Sequence, residues 1–396
     1  MPNPLEETEM EVRGRFEEFS LLGGPLHRLG CRLGLVRGGT NTVALGLALG
    51  LIVWTVLVVL AFIEGVSHQV FSLSVIGAHV RLLLVIPLFF LCESWVDPRM
   101  TAFVRTIVLS GVVSQNTLPA LESEIARTGR WKDSWLPETV WLLVAVLLSL
   151  TGSKLPLSGT TAGHDPSQAM AALALTAQWY WIVCLTLFRF LMLRWLWRLG
   201  LWSYFLWRLS TLELNLVPTH PDGVAGVGYL EVVQTHFTPL ILAISLVLSA
   251  SFAEEISTGT TVFEAIYPAL PLILIVDAIL FLGPLCFFAR KLWASKVKGL
   301  SNYMEFAAHY VNGFDRKWLS ADAAPGEPLL GTPDLQSLAD LGNSIKIVRD
   351  MRLVPVSASL LTTLAMAALL PILPLLLLKY PATQLAEKLF TKLLGF

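Results

Sequence analysis

The sequence predicts an all-α fold: a polytopic transmembrane helical bundle of about seven spans, within a range of six to eight, with cytoplasmic amphipathic helices. Two observations lead to this prediction. Of the 396 residues, 55% are hydrophobic and only 14% are charged, whereas soluble domains carry about 25% charged residues. Apolar stretches also recur along the chain, and each is close to the roughly 20 residues that cross about 30 Å of hydrocarbon at 1.5 Å per residue.

Seven apolar stretches qualify as predicted spans. The second and third are short, so the span count depends on whether they cross the bilayer. The seven stretches are residues 42–63, 79–95, 137–152, 173–196, 232–253, 266–288 and 354–378.

The distribution of Lys and Arg predicts the orientation, because basic residues near span ends stay on the cytoplasmic side. Of the 28 Lys and Arg residues, 22 fall in segments assigned to the inside and five in segments assigned to the outside, with Arg189 inside a span. The N-terminus is therefore predicted to be cytoplasmic, and an odd span count places the C-terminus outside. The residues before the first span are too acidic and too numerous for a signal peptide, so we expect them to be retained.

These spans divide the chain into four predicted regions. Residues 1–40 form a cytoplasmic N-terminal segment with an interfacial helix, because apolar residues and arginines are mixed there. Residues 41–288 contain the first six spans with short loops, and residues 289–353 form a cytoplasmic helical region. Residues 354–396 contain the seventh span and an interfacial C-terminal helix, which is indicated by Leu at every fourth position from 385 to 393.

A stripe of apolar residues follows Thr332, Pro333 and Asp334, which together predict a helix start. Apolar residues three or four positions apart share one helix face, so the stripe must pack against another surface. That surface is either the preceding cytoplasmic helix or a partner, which could be a second copy or a cytoplasmic protein. The stripe consists of Leu335, Leu338, Leu341, Ile345 and Val348.

The segment around His220 has the densest turn signals in the chain. Pro221, Asp222 and Gly223 suit successive positions of a β-turn, and Gly226 and Gly228 allow close backbone approach. The segment therefore predicts a tight turn before the fifth span. As a functional site, His220 and Asp222 could bind a metal or move a proton, and the following amides could bind an anion. Two ligands are fewer than a metal site normally has, so the sequence indicates no definite metal site.

The candidate buried charges in the predicted spans are Glu93, Arg189 and Asp277. A charge at the centre of a membrane helix costs about 2.5–3.5 kcal/mol on insertion scales, so such residues tend to face a partner or a cavity. Glu93 and Arg189 lie at similar predicted depth, and we expect them to form an ion pair. Asp277 has no evident cation, and it lies either in a polar path or against a neighbouring helix as a protonated carboxyl group.

Other basic residues lie next to aromatic residues or near span ends. The run from Arg194 to Arg208 alternates arginines with Trp and Tyr, as does an aromatic belt whose cations extend to the interface. A cation–π site for a ligand is the alternative interpretation of this run. Arg81, near the start of the second span, is likewise predicted to extend to the interface.

Composition and motifs exclude several function classes. The net charge is −1, which lacks the basic excess of a nucleic-acid-binding protein. The four cysteines are scattered singly, so no disulfide framework or cysteine metal site is expected. Neither a nucleophile elbow nor a His-Glu-x-x-His zinc motif occurs. The sequence therefore identifies no catalytic residue and no cofactor.

Three segments resemble a family of uncharacterised bacterial multi-pass inner-membrane proteins. They read HVRLLLVIPL from His79, LVPTHPDGVAGVGYL from Leu216 and QSLADLGNS from Gln336. The resemblance implies a location in the bacterial inner (plasma) membrane, but no activity is assigned to the family. The chain has Ala225 before Gly226 where the family pattern has paired glycines, which puts in doubt any role that needs both.

These observations favour a channel or transporter for an ion or small solute. Its path would follow the sixth span around Asp277 and the fourth span around Arg189, because proline-broken helices with buried charges often line cavities. One alternative is a membrane scaffold or sensor whose cytoplasmic helices bind a soluble partner. A second alternative is a membrane-embedded metal-dependent enzyme that uses His220 and Asp222.

Overall fold

A computed structural model describes residues 19–36, 41–151, 175–319 and 332–379. Within these ranges the protein is α-helical, and an antiparallel bridge joins Val113 to Leu214. The predicted all-α fold is therefore confirmed for these residues. The predicted interfacial helix at 382–396 lies outside the described ranges.

The principal helices are numbered here in chain order. They are α1 (Gly24–Arg32), α2 (Val43–Ile63), α3 (Ile86–Leu109), α4 (Leu118–Asp133), α5 (Trp135–Leu150), α6 (Leu185–Thr211), α7 (Tyr229–Thr235), α8 (Thr238–Ser257), α9 (Ile266–Asp277), α10 (Ala289–Trp318), α11 (Pro333–Asp350) and α12 (Ala358–Leu369).

Shorter helical pieces extend several of these helices. Three are π-helical turns inside apolar stretches, where one extra residue per turn changes the face that the following residues present. The π-turns are Val80–Val85 before α3, Tyr180–Cys184 before α6 and Ala278–Leu282 after α9. The remaining pieces are Ser67–Val70, Leu73–Val75, Ile76–His79, Gln115–Thr117, Leu175–Trp179, Phe263–Ala265, Gly283–Phe288, Leu370–Leu375 and Leu376–Lys379.

Five helical stretches in the described ranges are long and apolar enough to cross a membrane, and a sixth arises if α4 and α5, bent by 43°, form one span. The chain is therefore a multi-pass helical membrane protein with five or six candidate spans. The described part of the predicted segment 173–196 comprises Leu175–Trp179, the π-turn Tyr180–Cys184 and the start of α6, and this stretch is not among the candidates. The five stretches are Val43–Ile63, Leu73–Leu109, Tyr229–Ser257, Phe263–Trp318 and Ala358–Leu375.

Two glycines allow α2 to pack closely on α3 and the π-turn before it. A Cβ on Gly46 would lie 2.7 Å from the ring of Phe90, and a Cβ on Gly50 would overlap the carbonyl oxygen of Leu82. Residues four apart share one helix face, so these glycines form a small-residue contact of the kind that joins membrane helices. The backbone contact at Leu82 fixes the height of α2 against the π-turn.

Hydrogen bonds define the two ends of the bundle. Glu64, after α2, accepts hydrogen bonds from the amides of Leu175 and Thr176, so these residues lie at a common end. Thr42, before α2, bonds instead to Phe90 and Ser94 of α3. The end that contains Thr42 and the first described residues is called the N-terminal end below, and the end that contains Glu64 is called the opposite end.

Helices α10 and α11 form an antiparallel hairpin at the N-terminal end. Helix α11 begins at Pro333 as predicted, and its stripe packs towards α10: Leu341 is buried, and Leu338 is half-buried. Ile345 is also half-buried, whereas Leu335 is exposed. The stripe thus follows the first of its two predicted alternatives, packing on the preceding helix.

Candidate functional site

A cluster of buried charges joins three helices near the N-terminal end. The Glu93 carboxylate on α3 accepts hydrogen bonds from Arg194 and, at 2.6 Å, forms an ion pair with Arg198; both arginines lie on α6. Arg194 also donates from Nε to Glu138 Oε1 on α5 at 2.9 Å. The Glu93 side chain is 1% exposed and that of Arg194 is 3% exposed. These four residues, Glu93, Glu138, Arg194 and Arg198, are called the charge cluster.

Helical spacing explains how one carboxylate binds two guanidinium groups. Arg194 and Arg198 are four residues apart, so they project from the same face of α6. Trp195 and Trp202 on this part of α6 are also buried, and the Arg198 guanidinium lies 5.8 Å from the Trp195 ring centroid. The prediction of an interfacial belt is therefore wrong for this part of the run. Arg198 and Trp195 form a cation–π contact within the chain, and a cation–π ligand site stays a prediction.

The predicted ion pair between Glu93 and Arg189 is also wrong, because Glu93 binds Arg194 and Arg198 instead. Arg189 lies further towards the opposite end, where it donates to Ser149 Oγ on α5 at 3.0 Å. Thr186 donates to the same hydroxyl at 2.8 Å. Arg189 therefore belongs to a separate polar layer with two hydroxyl groups.

A third polar layer lies nearer the opposite end. Arg81 is buried, in contrast to the predicted extension to the interface, and donates to Tyr180 Oη at 2.7 Å and Ser251 Oγ at 3.1 Å. Its guanidinium is 4.0 Å from the Glu254 carboxylate, which accepts a hydrogen bond from the amide of Gly77 at 2.7 Å. Arg81 and Tyr180 both lie in π-turns, so the irregular turns supply the two side chains that meet here.

Polar atoms of the charge cluster retain bonding capacity. Glu93 Oε2, Arg198 Nη2 and Trp195 Nε1 are buried without a hydrogen-bond partner among the described residues. Beside them is a cavity of about 20 Å³, which is close to the smallest volume that holds one water molecule. The cavity is lined by Leu21, Leu22, Glu93, Val96, Asp97, Met100, Trp195, Arg198 and Phe237.

Asp277 is buried but stands apart from the charge cluster. It is 7% exposed and lies on the inward face of α9 with Ile273 and Phe281, four residues to either side. Neither carboxyl oxygen has a hydrogen-bond partner among the described residues. The choice between a polar path and a protonated carboxyl group against a neighbouring helix stays a prediction. No described hydrogen bond joins it to the polar layer of Arg189.

The turn around His220 is held by its own aspartate. The Asp222 carboxylate accepts hydrogen bonds from the amides of Val224 at 2.9 Å, Gly226 at 3.0 Å and Gly228 at 2.8 Å. The amides that were predicted to bind an external anion therefore already bind a carboxylate of the same chain. His220 Nδ1 lies 3.0 Å from Asp222 Oδ1, which completes this internal network.

Arg352 fastens this turn to the segment before α12. Its amide donates to Gly223 O at 2.9 Å, its side chain donates to Asp222 O at 3.1 Å, and the same side chain pairs with Glu231. Within the described ranges, no group of three or more His, Cys, Asp or Glu side chains is placed to hold a metal ion. The turn therefore follows its structural interpretation and offers no metal site in these ranges.

Ala225 occupies an unusual backbone conformation in the same turn. Its φ is 56°, and the neighbouring Gly223 and Gly226 have φ values of 68° and 99°. Glycine adopts this left-handed region freely, whereas a Cβ makes it costly. The alanine at this position thus stands where the backbone favours glycine.

The fold and the buried charges define the class of protein as a multi-pass helical membrane protein. Comparison with known proteins found no matching family model, no matching curated protein and no matching solved structure. The function must therefore be inferred from this chain's own geometry.

Proposed function

We propose that the protein moves an ion or small solute across the bilayer along α6 and the π-turn that precedes it. The observation that supports this proposal is the series of three buried polar layers beside one helix. Tyr180 of the third layer and Arg198 of the charge cluster are separated by 18 residues, or about 27 Å at 1.5 Å per residue. This length is close to the roughly 30 Å thickness of the hydrocarbon core.

The cost of burying charge supports a functional role for these layers. Each buried charge is unfavourable in a membrane helix, and most such residues in membrane proteins line a solute or ion pathway. Arginine remains protonated in proteins, so Arg81, Arg189, Arg194 and Arg198 keep their charge at every depth. A purely structural bundle could pack these positions with apolar residues at lower cost.

The broken helices also support a pathway. Arg81 and Tyr180 lie in π-turns, and Asp277 immediately precedes another. The 3₁₀ segments Gly283–Phe288 and Leu370–Leu375 contain Pro284, Pro371 and Pro374. Irregular backbone at membrane depth is tolerated where it is buried in protein or lines a cavity.

Flux in proteoliposomes tests the proposal. Chloride entry would be followed by quenching of an entrapped dye, and proton entry by an entrapped pH indicator. We expect Arg189→Gln to lower the flux of the conducted ion about tenfold or more, because it removes the charge of the middle layer. Arg208→Gln is the matched control, since Arg208 lies on the same helix but pairs with Glu124 outside the three layers.

Two results would contradict the proposal: flux of neither ion above that of empty liposomes, or equal flux in Arg189→Gln and the unaltered protein. Asp277→Asn extends the test to the pathway first predicted from sequence. A change in flux would connect Asp277 to the pathway, and unchanged flux would remove this residue from the mechanism.

A second candidate function is a scaffold or sensor that binds a cytoplasmic partner. The observation that favours it is an exposed apolar series on α10, formed by Val297, Met304 and Val311 at seven-residue spacing. Because the stripe of α11 is occupied by packing on α10, this series is the better candidate surface. Replacement of Met304 and Val311 by Asp would then release a partner in a pull-down while the protein stays in the membrane.

We also propose the finer assignments of the location. The protein lies in a bacterial inner membrane with its N-terminal end in the cytoplasm, and α6 together with α5 brings the number of spans to seven. The excess of Lys and Arg in the segments assigned to the cytoplasm supports this orientation. Resemblance to uncharacterised bacterial inner-membrane proteins supports the choice of membrane.

A further inference from the structure

We infer that residues 19–26 act as a plug that closes the N-terminal end of the pathway, and that release of this plug opens it. This inference rests on the proposed transport function. The plug is defined by its residues Phe19 to Leu26, and it has no regular secondary structure before α1 begins at Gly24.

Backbone groups of the plug are bound by acidic side chains. Asp97 on α3 accepts hydrogen bonds from the amides of Leu21 at 2.6 Å and Leu22 at 3.1 Å, and from the Ser20 hydroxyl at 2.7 Å. Three donors thus converge on one buried carboxylate. A carboxylate that accepts several hydrogen bonds is strongly held, because bonds to a charged acceptor are stronger than neutral ones.

The plug is also bonded to the charge cluster itself. Glu138 accepts a hydrogen bond from the amide of Leu26 at 3.1 Å, and Arg194 donates to the carbonyl of Gly23 at 3.3 Å. Thr101 donates to the carbonyl of Phe19 at 2.5 Å. Glu138 and Arg194 therefore bind both the plug and each other. A change in the charge cluster thus also alters the side chains that hold the plug.

Apolar contacts complete the seal. The Phe19 side chain is 2% exposed, and its ring centroid lies 4.5 Å from that of Phe205 and 6.4 Å from that of Trp202. Leu21 and Leu22 are buried and form one wall of the cavity beside Glu93 and Arg198. The plug therefore separates that cavity from the N-terminal end of the bundle.

The plug differs from a permanent structural element in how it is attached. Residues 19–23 are irregular chain, residues 24–26 form the start of α1, and side chains of α3, α5 and α6 hold both parts. Local segments of a folded protein can open at a lower free energy than global unfolding requires. Release would expose the cavity and the charge cluster without unfolding the helices that form them.

Thiol labelling measures this opening independently of transport. Met100 lines the cavity and is buried, so Met100→Cys reports access to it once exposed Cys31 and Cys286 are changed to Ser. The reagent is a charged maleimide applied to protein in nanodiscs, where both faces are accessible. We expect slow labelling in this background and labelling about tenfold faster or more when Phe19→Ala is added, because the open population rises.

Two further variants keep the labelling result interpretable. Thr101→Val removes the hydrogen bond to Phe19 with little change of volume. We expect it to accelerate labelling, but less than Phe19→Ala does. Phe306→Ala, at an exposed position on α10, is the control and should leave the labelling rate unchanged. Fast labelling of Met100→Cys without a plug substitution would overturn the plug. Equal labelling rates with and without Phe19→Ala and Thr101→Val would overturn it as well.

Flux measurements on the same variants separate the plug from the proposed function. We expect Phe19→Ala to raise flux in proteoliposomes and Phe306→Ala to leave it unchanged. If labelling accelerates but no variant conducts either ion, the plug stands as a cover and transport fails. If Arg189→Gln lowers flux while Phe19→Ala changes neither labelling nor flux, transport stands and the plug is overturned.

Discussion

At the scale of single residues, Glu93 is the acceptor on which the charge cluster depends. It lies between two guanidinium groups that remain protonated, and each is almost wholly removed from solvent. Loss of one partner from a buried ion pair costs more than the pair itself contributes, because the remaining charge stays buried and unpaired. The cluster is therefore more sensitive to removal of one member than to replacement of all.

We predict that Glu93→Gln lowers the free energy of unfolding by about 3–5 kcal/mol, the usual cost of breaking a buried pair. Denaturant titration in mixed micelles would measure it. Asp334→Asn is the control, because Asp334 pairs with Lys317 at an exposed position and its loss should cost far less. Equal losses in the two variants would mean that water solvates the cluster.

The sequence identified Glu93 as a buried charge but paired it with the wrong arginine. Depth along the membrane normal can be estimated from sequence, and it places Glu93 and Arg189 at similar heights. In the structure Arg189 lies further towards the opposite end, beside Ser149, so the depth estimated from sequence is wrong for this pair. A local signal was present, since Arg194 and Arg198 are four residues apart and must share a face.

At the scale of helices, the contact between α2 and the π-turn before α3 is the closest approach of a glycine to a backbone atom in the described residues. The carbonyl oxygen of Leu82 occupies the space that a Cβ on Gly50 would need. A backbone atom cannot move aside as the end of a side chain can. The two helices must separate if Gly50 is replaced.

We predict that Gly50→Ala destabilises the protein by about 3 kcal/mol, at the upper end of the usual range for overpacking. Gly200→Ala is the matched control, because no atom lies within 4 Å of its added Cβ. There, helix propensity should add about 1 kcal/mol of stability. Thermal unfolding of both variants in one detergent measures the difference, and losses of similar size would show that the contact at Leu82 is unimportant.

The hairpin of α10 and α11 responds to pH through Asp334. Hydrogen bonds from Lys317 at 2.8 Å and Trp318 at 3.1 Å lower the pKa of this carboxyl group below its usual value. A lowered pKa in the folded state means that the stabilisation is present above the unfolded-state pKa of about 3.9 and is lost as the pH falls through the folded-state pKa.

We therefore predict that Asp334 stabilises the hairpin fully down to about pH 4 and that this stabilisation is lost below that pH. Trp318 donates to Asp334, so its fluorescence, compared with that of a Trp318→Phe variant, reports the loss. Asp334→Asn should remove this acid transition while leaving those of other carboxylates in place. If the fluorescence of Trp318 changes over the same pH range in Asp334→Asn and in the unaltered protein, the transition belongs to another titrating group.

Sequence patterns predicted helices better than they predicted irregular turns. The start of α11 at Pro333 follows from its capping residues and its proline, which act locally. The π-turns have no comparable signal, because one inserted residue leaves apolar composition unchanged. The layer formed by Arg81 and Tyr180 depends on two such turns. For this reason sequence patterns predict an interfacial position for Arg81, whereas the structure buries it.

At the scale of the whole molecule, the buried layers and the ends of the bundle define a common axis. The plug, the charge cluster and the α10–α11 hairpin lie towards the N-terminal end. Glu64, Glu254 and Leu175, the first described residue of the fourth predicted span, lie towards the opposite end. A pathway along α6 must cross the membrane between these ends. The orientation of the two ends is therefore a direct test of the assembled picture.

We predict that Thr260, in the exposed segment between α8 and α9, faces away from the cytoplasm, and that Asn302 on α10 faces the cytoplasm. In a variant that lacks all four native cysteines, a membrane-impermeant maleimide added to intact bacterial cells should label Thr260→Cys at once. Asn302→Cys should be labelled only after the cells are permeabilised, because the Lys and Arg residues of α10 hold it inside. The reverse pattern would invert the molecule and place the plug on the outer side. Labelling of both positions in intact cells would show that they do not lie on opposite sides of the membrane, and would contradict a pathway that crosses it along the three buried layers.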